Sequence, residues 1–380
     1  MSNQDFYMMS GGSVNELRER RPVPGTAAPP DETARVTLAI TDVFTRRTRE
    51  AEAYHPAFAQ LWKICGERVA GGKRIRPRLM LDVFGALTES AVPSAAIEIA
   101  AAIELLHASF LLHDDVFDGD LTRRGALNLV GLLAHDEQSE SSPPSPQRLH
   151  WARSCGILMG DLLLAEVHQI FARIDAEHAV RTRLLDLLSH AITESVVGEQ
   201  LDIGLEDGTV VADTATVLEM CRLKTATYTF ELPLRAAAIL AGADSPATDA
   251  ALATAGAHLG LAFQLQDDVL STFGDPAAHG KDAFSDLREG KETAVISAAR
   301  MTSAWPEIEP SFGTGSLTNA EGERMRSILR DCGAEAFVHG LIDDQMRALH
   351  ETLADPASGL PDAARRTLAA LAERLDGRRS

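Results

Sequence analysis

Few cysteines, a shortage of basic residues and the lack of a long uncharged apolar run each argue against a class of protein. Four cysteines are scattered through 380 residues without a Cys-x-x-Cys pair, which indicates reduced thiols in a cytosolic protein rather than a disulfide framework. A formal net charge of −19 argues against nucleic acid or an anionic membrane surface as the main partner. The lack of a long apolar run predicts no membrane span, and the polar N-terminus lacks the layout of a secretion signal.

Runs of alternating β-branched residues are nearly absent as well, so we expect very little β-strand. Apolar residues instead recur at spacings of three and four over residues 97–113, 158–170, 184–197, 217–241 and 250–273, as they do on one face of a helix. Hydrophobic residues make up 45% of the chain, which is enough for a sizeable core, and several of these helices are apolar on more than one face. The pattern predicts an all-α fold built as a single large helical bundle.

Two polar segments interrupt this helical pattern. Residues 1–33 contain paired glycines, a charged run and four prolines, and we predict a disordered leader. Residues from about 135 to 147 are polar and include three prolines, which predicts a flexible surface loop. The remainder, residues 34–380, is predicted to form one domain.

Two acidic motifs lie inside apolar segments. Residues 114–118 place Asp114 and Asp118 one helical turn apart on the same face, and Asp267-Asp268 form a second pair downstream. A lone motif of this kind is often a solvated face, but acids within apolar segments are costly to bury without compensation. Hard oxygen ligands select Mg²⁺, which completes its shell with water and substrate phosphates. The two motifs together predict a pocket that gathers divalent metal.

Basic residues are interleaved with these acids. Residues 71–77, Gly-Gly-Lys-Arg-Ile-Arg-Pro, put Lys73 and Arg76 near a predicted helix start, a combination that suits a diphosphate. Further cations follow the acidic motifs: Arg123, Arg124, Lys224, Lys281, Arg288 and Lys291. A basic cluster alone is usually surface, but the joint pattern predicts two diphosphate sites, one held through metal and one held by side chains directly.

With these residues in view, the chain resembles the trans-isoprenyl diphosphate synthases, also called polyprenyl synthetases. The resemblance extends from about residue 71 to residue 293 and rests on five ordered motifs. They are residues 71–77; His107 with Asp114, Asp115, Asp118 and Arg123-Arg124-Gly125; Gly160-Asp161-Leu162-Leu163; Lys224-Thr225; and Phe263-Gln264 with Asp267-Asp268 leading into residues 274–291. The resemblance implies an isoprenoid-synthase bundle around a central cavity, and a short-chain prenyltransferase resembling geranylgeranyl and farnesyl diphosphate synthases.

The resemblance also implies roles for the matched side chains. About three Mg²⁺ ions, bound with the diphosphate, would be held by Asp114, Asp118 and Asp267, with Asp115 and Asp268 in support. The allylic diphosphate would contact Arg123, Lys224 and Lys281, while isopentenyl diphosphate would contact Lys73, Arg76, His107 and Arg124. Lys224, Thr225 and Gln264 are the implied catalytic residues, the last two lining the region where the carbocation forms. A cytoplasmic homodimer, without nucleic acid or stable membrane insertion, is expected.

The chain departs from the family pattern at three places. Ser271 stands where the second acidic motif would end in a carboxylate, although a serine could still hydrogen-bond a metal-bound water. Leu127 replaces a usual proline. The family tends to have Pro-x-Gly after Gly280-Lys281, but this chain has Asp282-Ala283-Phe284. The loop over the diphosphate is therefore expected to close differently.

Product length is expected to depend on the helix face one turn before Asp114. Phe110 could be the floor of a product tunnel or simply a core residue, and Ser109 is expected to leave space beside it. A narrowing at Phe110 favours geranylgeranyl diphosphate, with farnesyl diphosphate as the alternative product.

Two other functions fit parts of the pattern. A terpene cyclase on the same scaffold needs the metal-binding acids but has no need of Lys73, Arg76 and Arg124. A non-catalytic partner subunit of a synthase would tend to lose the acidic motifs, which this chain largely keeps. The sequence contains no Ser-His-Asp or Cys-His arrangement that suggests a protein nucleophile.

Overall fold

The computed structural model describes residues 31–88, 90–123, 125–135, 144–274 and 284–376, and these residues are mostly helical, which confirms the all-α prediction. The first half contains α1 (Glu32–Glu52), α2 (Pro56–Val69), α3 (Ile75–Leu87), α4 (Ser94–Phe117), β1 (Thr122–Arg123), β2 (Ala126–Leu127), α5 (Leu129–Ala134) and α6 (Pro146–Arg173). Next come α7 (His178–Glu206), α8 (Thr214–Cys221), a π-helix (Arg222–Glu231), α9 (Leu232–Ala241) and α10 (Pro246–Phe273). The rest contains α11 (Ser285–Glu289), α12 (Ala294–Arg300), α13 (Trp305–Ile308), α14 (Asn319–Asp331), α15 (Ala334–Ala354), a 3₁₀ turn (Pro356–Ser358) and α16 (Asp362–Asp376).

Polar caps fix where several of these helices begin. The side chains of Asp31, Ser145, Asp213 and Ser245 each accept a hydrogen bond from a backbone N–H in the first turn of the helix that follows. Helix α1 thus begins at Glu32, one residue before the predicted end of the leader, and α6 begins inside the predicted 135–147 loop. Residues 1–30 and 136–143, where the rest of those two predictions falls, lie outside the described residues.

Helix α4 runs through the centre of the bundle. It packs against α1, α3, α6 and α9, and its aliphatic residues are almost completely buried. Contrary to the expectation of no such stretch, α4 and α6 are long and apolar enough to span a membrane by composition, and 78% and 44% of their most apolar windows are buried within the bundle. The burial of α4 is that of a core helix.

The π-helix is pressed between α7 and α10. A Cβ atom on Gly198 of α7 would lie 2.6 Å from the Cα atom of Lys224, and a Cβ atom on Gly260 of α10 would collide with Ala226. Glycine is therefore required at both positions for the backbones to approach this closely. Single π-helical turns are often found at functional sites, and this one carries Lys224, Thr225 and Tyr228.

Candidate active site

The first acidic motif lies at the C-terminal end of α4, where each carboxylate faces a cation. Arg123 on β1 contacts Asp114 at 2.9 Å and Asp115 at 2.7 Å. Lys291, which follows α11, contacts Asp118 at 2.8 Å. The interleaving of acids and cations in the sequence therefore corresponds to direct ion pairs in the folded chain.

Burial and neighbouring charges shift the pKa values of these three acids in different directions. Burial disfavours ionisation of Asp114, but the charges of Lys224, Arg123 and Lys291 outweigh it and hold its pKa below the usual value. Burial raises the pKa of Asp115 to about 6 in spite of Arg123, and burial together with the charge of Asp114 raises the pKa of Asp118. A further cation bound at this cluster would therefore stabilise the charged forms of Asp115 and Asp118.

Lys224 joins the first motif to α7. Its Nζ atom lies 3.2 Å from Asp114, 3.0 Å from Glu199 and 2.6 Å from Asp202. Burial alone would lower the pKa of Lys224, but the three carboxylates raise it well above the usual value. Sequence reasoning missed Glu199 and Asp202, although their spacing of three residues on one apolar helix was a readable signal.

The second acidic motif lies on α10. Asp268 is 5% exposed, accepts a hydrogen bond from Gln264 at 2.9 Å, and has its pKa raised to about 7, chiefly by burial. Gln264 in turn accepts a hydrogen bond from Thr225 at 2.8 Å. Asp267 is half-buried. The hydroxyl of Ser271 donates to the backbone oxygen of Asp268 at 2.9 Å, so its bond is within its own helix.

The donor set at these two motifs fits Mg²⁺. The described residues contain no group of three or more His, Cys, Asp or Glu side chains gathered closely enough to hold a metal unaided. Mg²⁺ does not require such a cage, because it usually takes one or two carboxylates and completes its octahedral shell with water and substrate phosphates. The buried Oε1 atom of Glu199 also has no hydrogen-bond partner within the described part of the chain. Carboxylate oxygens thus remain available to a bound cation.

A second cationic group surrounds Tyr228, which sequence reasoning also missed. Arg76 donates to the Tyr228 hydroxyl at 3.1 Å and to Thr229 at 2.9 Å, and its guanidinium lies 4.8 Å from the Tyr228 ring centroid. His107 stacks on the same ring with centroids 6.0 Å apart. Lys73 is exposed at the start of α3. Arg124 and Lys281 lie outside the described residues.

The loop before α3 is held by Arg74. This residue is 6% exposed and has a positive φ of 49°. Its guanidinium donates to the backbone oxygens of Val69 and Ala70 at the end of α2, at 2.8 and 2.9 Å, and pairs with Glu104 of α4 at 3.0 Å. These contacts hold a backbone conformation that is costly for a residue with a side chain.

A cavity of about 460 Å³ extends from the first acidic motif between α4, α7 and the π-helix. Its lining includes Asp114, Phe110 and Tyr228, and the last two rings meet edge to face with centroids 5.0 Å apart. The expectation that Ser109 leaves space in this cavity was wrong. Ser109 is fully buried, its hydroxyl donates to the Gly160 backbone oxygen on α6 at 2.8 Å, and it is not among the residues that line the cavity.

An all-α bundle in which one acidic motif lines a cavity, a second acidic motif lies on another core helix, and cations pair with the acids defines the class of helical isoprenoid synthases. The chain belongs to the polyprenyl synthetase family, whose sequence profile matches residues 59–310. This confirms the resemblance drawn from the motifs, and the chain is a prenyltransferase that makes an isoprenyl diphosphate.

Relatives and solved structures support the assignment. The chain is 33% identical to geranylfarnesyl diphosphate synthase of Aeropyrum pernix, over 70% of this chain and 77% of the relative. It is 30% identical to geranylgeranyl diphosphate synthase of Methanosarcina mazei, over 72% and 76%. Among solved structures, geranylgeranyl pyrophosphate synthase from Corynebacterium glutamicum, complexed with isoprenyl diphosphate and magnesium, matches with a TM-score of 0.78 and 30% identity, covering 91% of this chain and 99% of that one.

Proposed function

We propose that this prenyltransferase condenses isopentenyl diphosphate with an allylic diphosphate, with Mg²⁺ as its metal. The observation that carries the proposal is the presence of two separate cationic groups. Arg123, Lys224 and Lys291 pair with acids of the first motif. Arg76 instead donates to Tyr228 and Thr229, and His107 stacks on the Tyr228 ring. A cyclase binds one diphosphate and needs only the first group. The second group supports a second diphosphate substrate.

Asp114, Asp118 and Asp267 are the proposed metal ligands, and they would share about three Mg²⁺ ions with the allylic diphosphate. Asp115 would support them through its ion pair with Arg123, and Asp268 through its hydrogen bond with Gln264. Bound Mg²⁺ would neutralise negative charge on the departing diphosphate. Its charge would also favour the ionised form of the acids whose pKa values are raised by burial.

The cations beside these acids are proposed to bind the same diphosphate. Lys224 and Lys291 pair with Asp114 and Asp118, so both can donate to diphosphate oxygens that share a metal with those acids. Arg123 is proposed as a third contact. We propose Lys281 as a further contact from the resemblance alone.

The remaining cations are proposed to bind isopentenyl diphosphate without metal. Arg76 has the fork geometry that binds phosphate oxygens bidentately, and His107 lies beside it across the Tyr228 ring. Lys73 is exposed at the same helix start, where it can reach an incoming substrate. Arg124 is proposed from the resemblance.

The proposed reaction begins when the allylic C–O bond breaks and its electron pair leaves with the diphosphate. Arg123 and Lys224 stabilise the charge that develops on the leaving group. The double bond of isopentenyl diphosphate then attacks the allylic cation and forms the new C–C bond, and a proton passes to the released diphosphate. Thr225 and Gln264, held together by their hydrogen bond, are proposed to line the region of the cation.

Geranylgeranyl diphosphate is the proposed product, with farnesyl diphosphate as the second candidate. The apolar cavity has a limited volume of about 460 Å³, and Phe110 lies one helical turn below Asp114 within its lining. The two named relatives are a geranylgeranyl and a geranylfarnesyl diphosphate synthase, so the products in their names are as long as the proposed product or longer.

We further propose that the chain is a cytoplasmic homodimer without nucleic-acid partner or stable membrane insertion. Large apolar side chains are exposed on neighbouring helices, with Leu158 on α6 58% exposed and Val196 on α7 57% exposed. Burial of such an apolar surface against a second copy of the chain is favourable. Sedimentation equilibrium of the purified chain tests the dimer.

Incubation of the purified chain with Mg²⁺, isopentenyl diphosphate and each allylic primer in turn tests the reaction. We expect longer isoprenyl diphosphates that require both substrates and disappear with excess EDTA. Asp114→Asn should lower kcat by at least about 10²-fold because it removes a charge that contacts metal. Asp344→Asn, at an exposed carboxylate on α15, is the matched control and should leave turnover unchanged. A cyclic hydrocarbon made without isopentenyl diphosphate would favour the cyclase instead.

A further inference from the structure

The described part of the chain has two non-glycine residues with positive φ, Arg74 at 49° and Phe284 at 70°. Each immediately precedes a helix that leads to a diphosphate-binding cation of the proposed function: Arg74 precedes α3 with Arg76, and Phe284 precedes α11, after which comes Lys291. Such a conformation is unfavourable for a bulky residue and persists only where the surroundings hold it. Strained residues therefore lie at the entrance to both cation-bearing segments.

The side chain of Phe284 is held by α14. Phe284 is 2% exposed and its ring packs where Gly322 has no side chain, so that a Cβ atom on Gly322 would lie 2.6 Å from the Cγ atom of the ring. The Arg326 guanidinium lies 4.5 Å from the ring centroid, and its Nε atom donates to the Thr272 backbone oxygen at 2.7 Å. Because Thr272 belongs to the last turn of α10, Arg326 connects α14 with the helix that carries Asp267 and Asp268, and the ring packs against this connection.

The backbone of Phe284 connects this anchor to Lys291. Its carbonyl accepts the Arg288 N–H at 2.9 Å in the first turn of α11. At the end of the helix the N–H groups of Gly290 and Lys291 both donate to the Asp286 carbonyl, at 3.0 and 2.9 Å. The Lys291 ammonium then reaches Asp118. The short helix thus transmits the position of Phe284 to Lys291.

We propose that Phe284 is a positioning residue for prenyl transfer: its buried ring anchors α11 to α14 and thereby holds Lys291 against Asp118, at the allylic diphosphate. This rests on the role proposed above for Lys291. A glycine at this place would adopt the same φ without strain but would provide no anchor. In this chain, the ring replaces that conformational freedom with a fixed contact.

Steady-state kinetics of the full chain with both substrates tests the proposal. Phe284→Gly should raise KM for the allylic diphosphate about tenfold, the effect of weakening one charged hydrogen bond, while KM for isopentenyl diphosphate is unchanged. Gly322→Ala should reproduce this change by crowding the ring, and should add nothing in the Phe284→Gly background. Leu329→Ala, at a fully buried position on the same helix, should lower Tm but leave the ratio of the two KM values unchanged.

Three results would overturn the proposal. If Phe284→Gly changes neither KM, or raises both equally, while Lys291→Ala raises the allylic KM, the role of Lys291 stands and the anchor does not. If Lys291→Ala leaves the allylic KM unchanged, the role proposed for Lys291 fails and the inference fails with it. An additive effect of Gly322→Ala in the Phe284→Gly background would likewise contradict action through the ring.

Discussion

Replacing Gly198 by alanine should displace the π-helix and with it Lys224. The new Cβ atom would lie 2.6 Å from the Lys224 Cα atom, whereas ordinary contacts begin at 3.4 Å. Because the obstructing atoms are backbone, α7 and the π-helix must separate by roughly 1 Å, at a cost of about 1–3 kcal/mol in the free energy of unfolding. The Lys224 contacts with Asp202 and Asp114 would have to re-form from a shifted backbone.

The expected functional effect of Gly198→Ala is larger than its effect on stability. Displacements of this size can lower kcat about 10²-fold, since catalytic groups must meet the reacting atoms within a fraction of an ångström. Steady-state turnover and thermal denaturation on the same preparation would measure both quantities. Thr225 lies on the same π-helix and would shift with Lys224. A change in the lysine side-chain conformation therefore could not restore the positions of both residues.

The matched control is Gly340→Ala on α15, where nothing lies within 4 Å of a new Cβ atom. Alanine should raise helix stability there by about 0.5–1 kcal/mol and leave kcat unchanged. If Gly198→Ala kept wild-type turnover and an unchanged Tm, the close approach of the two helices would not be what places Lys224, and the reasoning would be refuted.

Three further predictions concern the cavity, the loop before α3 and a buried acid. Phe110→Ala should lengthen the product, seen by chromatography of dephosphorylated products, and an unchanged product would show that Phe110 is only a core residue. Arg74→Ala should raise KM for isopentenyl diphosphate more than KM for the allylic substrate, because Arg76 lies two residues beyond the released loop. Burial, with the charge of Glu194, raises the pKa of Glu231 from 4.5 to about 7. The folded chain therefore holds this proton more tightly than the unfolded chain, and stability should fall by up to about 3 kcal/mol as the pH rises through that window. Glu231→Gln should remove this loss, so its Tm should exceed that of the wild type near pH 8 and equal it near pH 4, as thermal denaturation across pH would measure.

The helices and the first acidic motif were predictable because both follow from local spacing. Apolar residues three and four apart identify α4 and α10, and the spacing of Asp114 and Asp118 places them on one face whatever the tertiary structure. The prediction for Ser109 was wrong because it needed more than local spacing. Spacing gives the relative phase of residues on a helix but not which side faces a cavity, and that side is decided by how α6 packs on α4.

Other features depend on contacts between distant parts of the chain. The spacing of Glu199 and Asp202 places them on one helix face, but they become part of the site because Lys224 reaches them, and spacing alone does not predict that contact. The π-helix has the same apolar spacing as its α-helical neighbours, and its wider turns depend on the approach of α7 and α10. The sequence shows Phe284 as a departure from the family pattern, but the packing of its ring depends on Gly322, which is distant in sequence.

Tyr228 forms a partition between two parts of the molecule with opposite chemistry. Its hydroxyl takes a hydrogen bond from Arg76 on the hydrophilic side, and its ring meets the edge of Phe110 on the apolar side. A substitution that removes the Phe110 ring would therefore also free Tyr228 to move, and would weaken its contact with Arg76. Evolution toward longer prenyl chains at Phe110 would therefore disturb the isopentenyl diphosphate site proposed at Arg76, unless Tyr228 gained another packing contact.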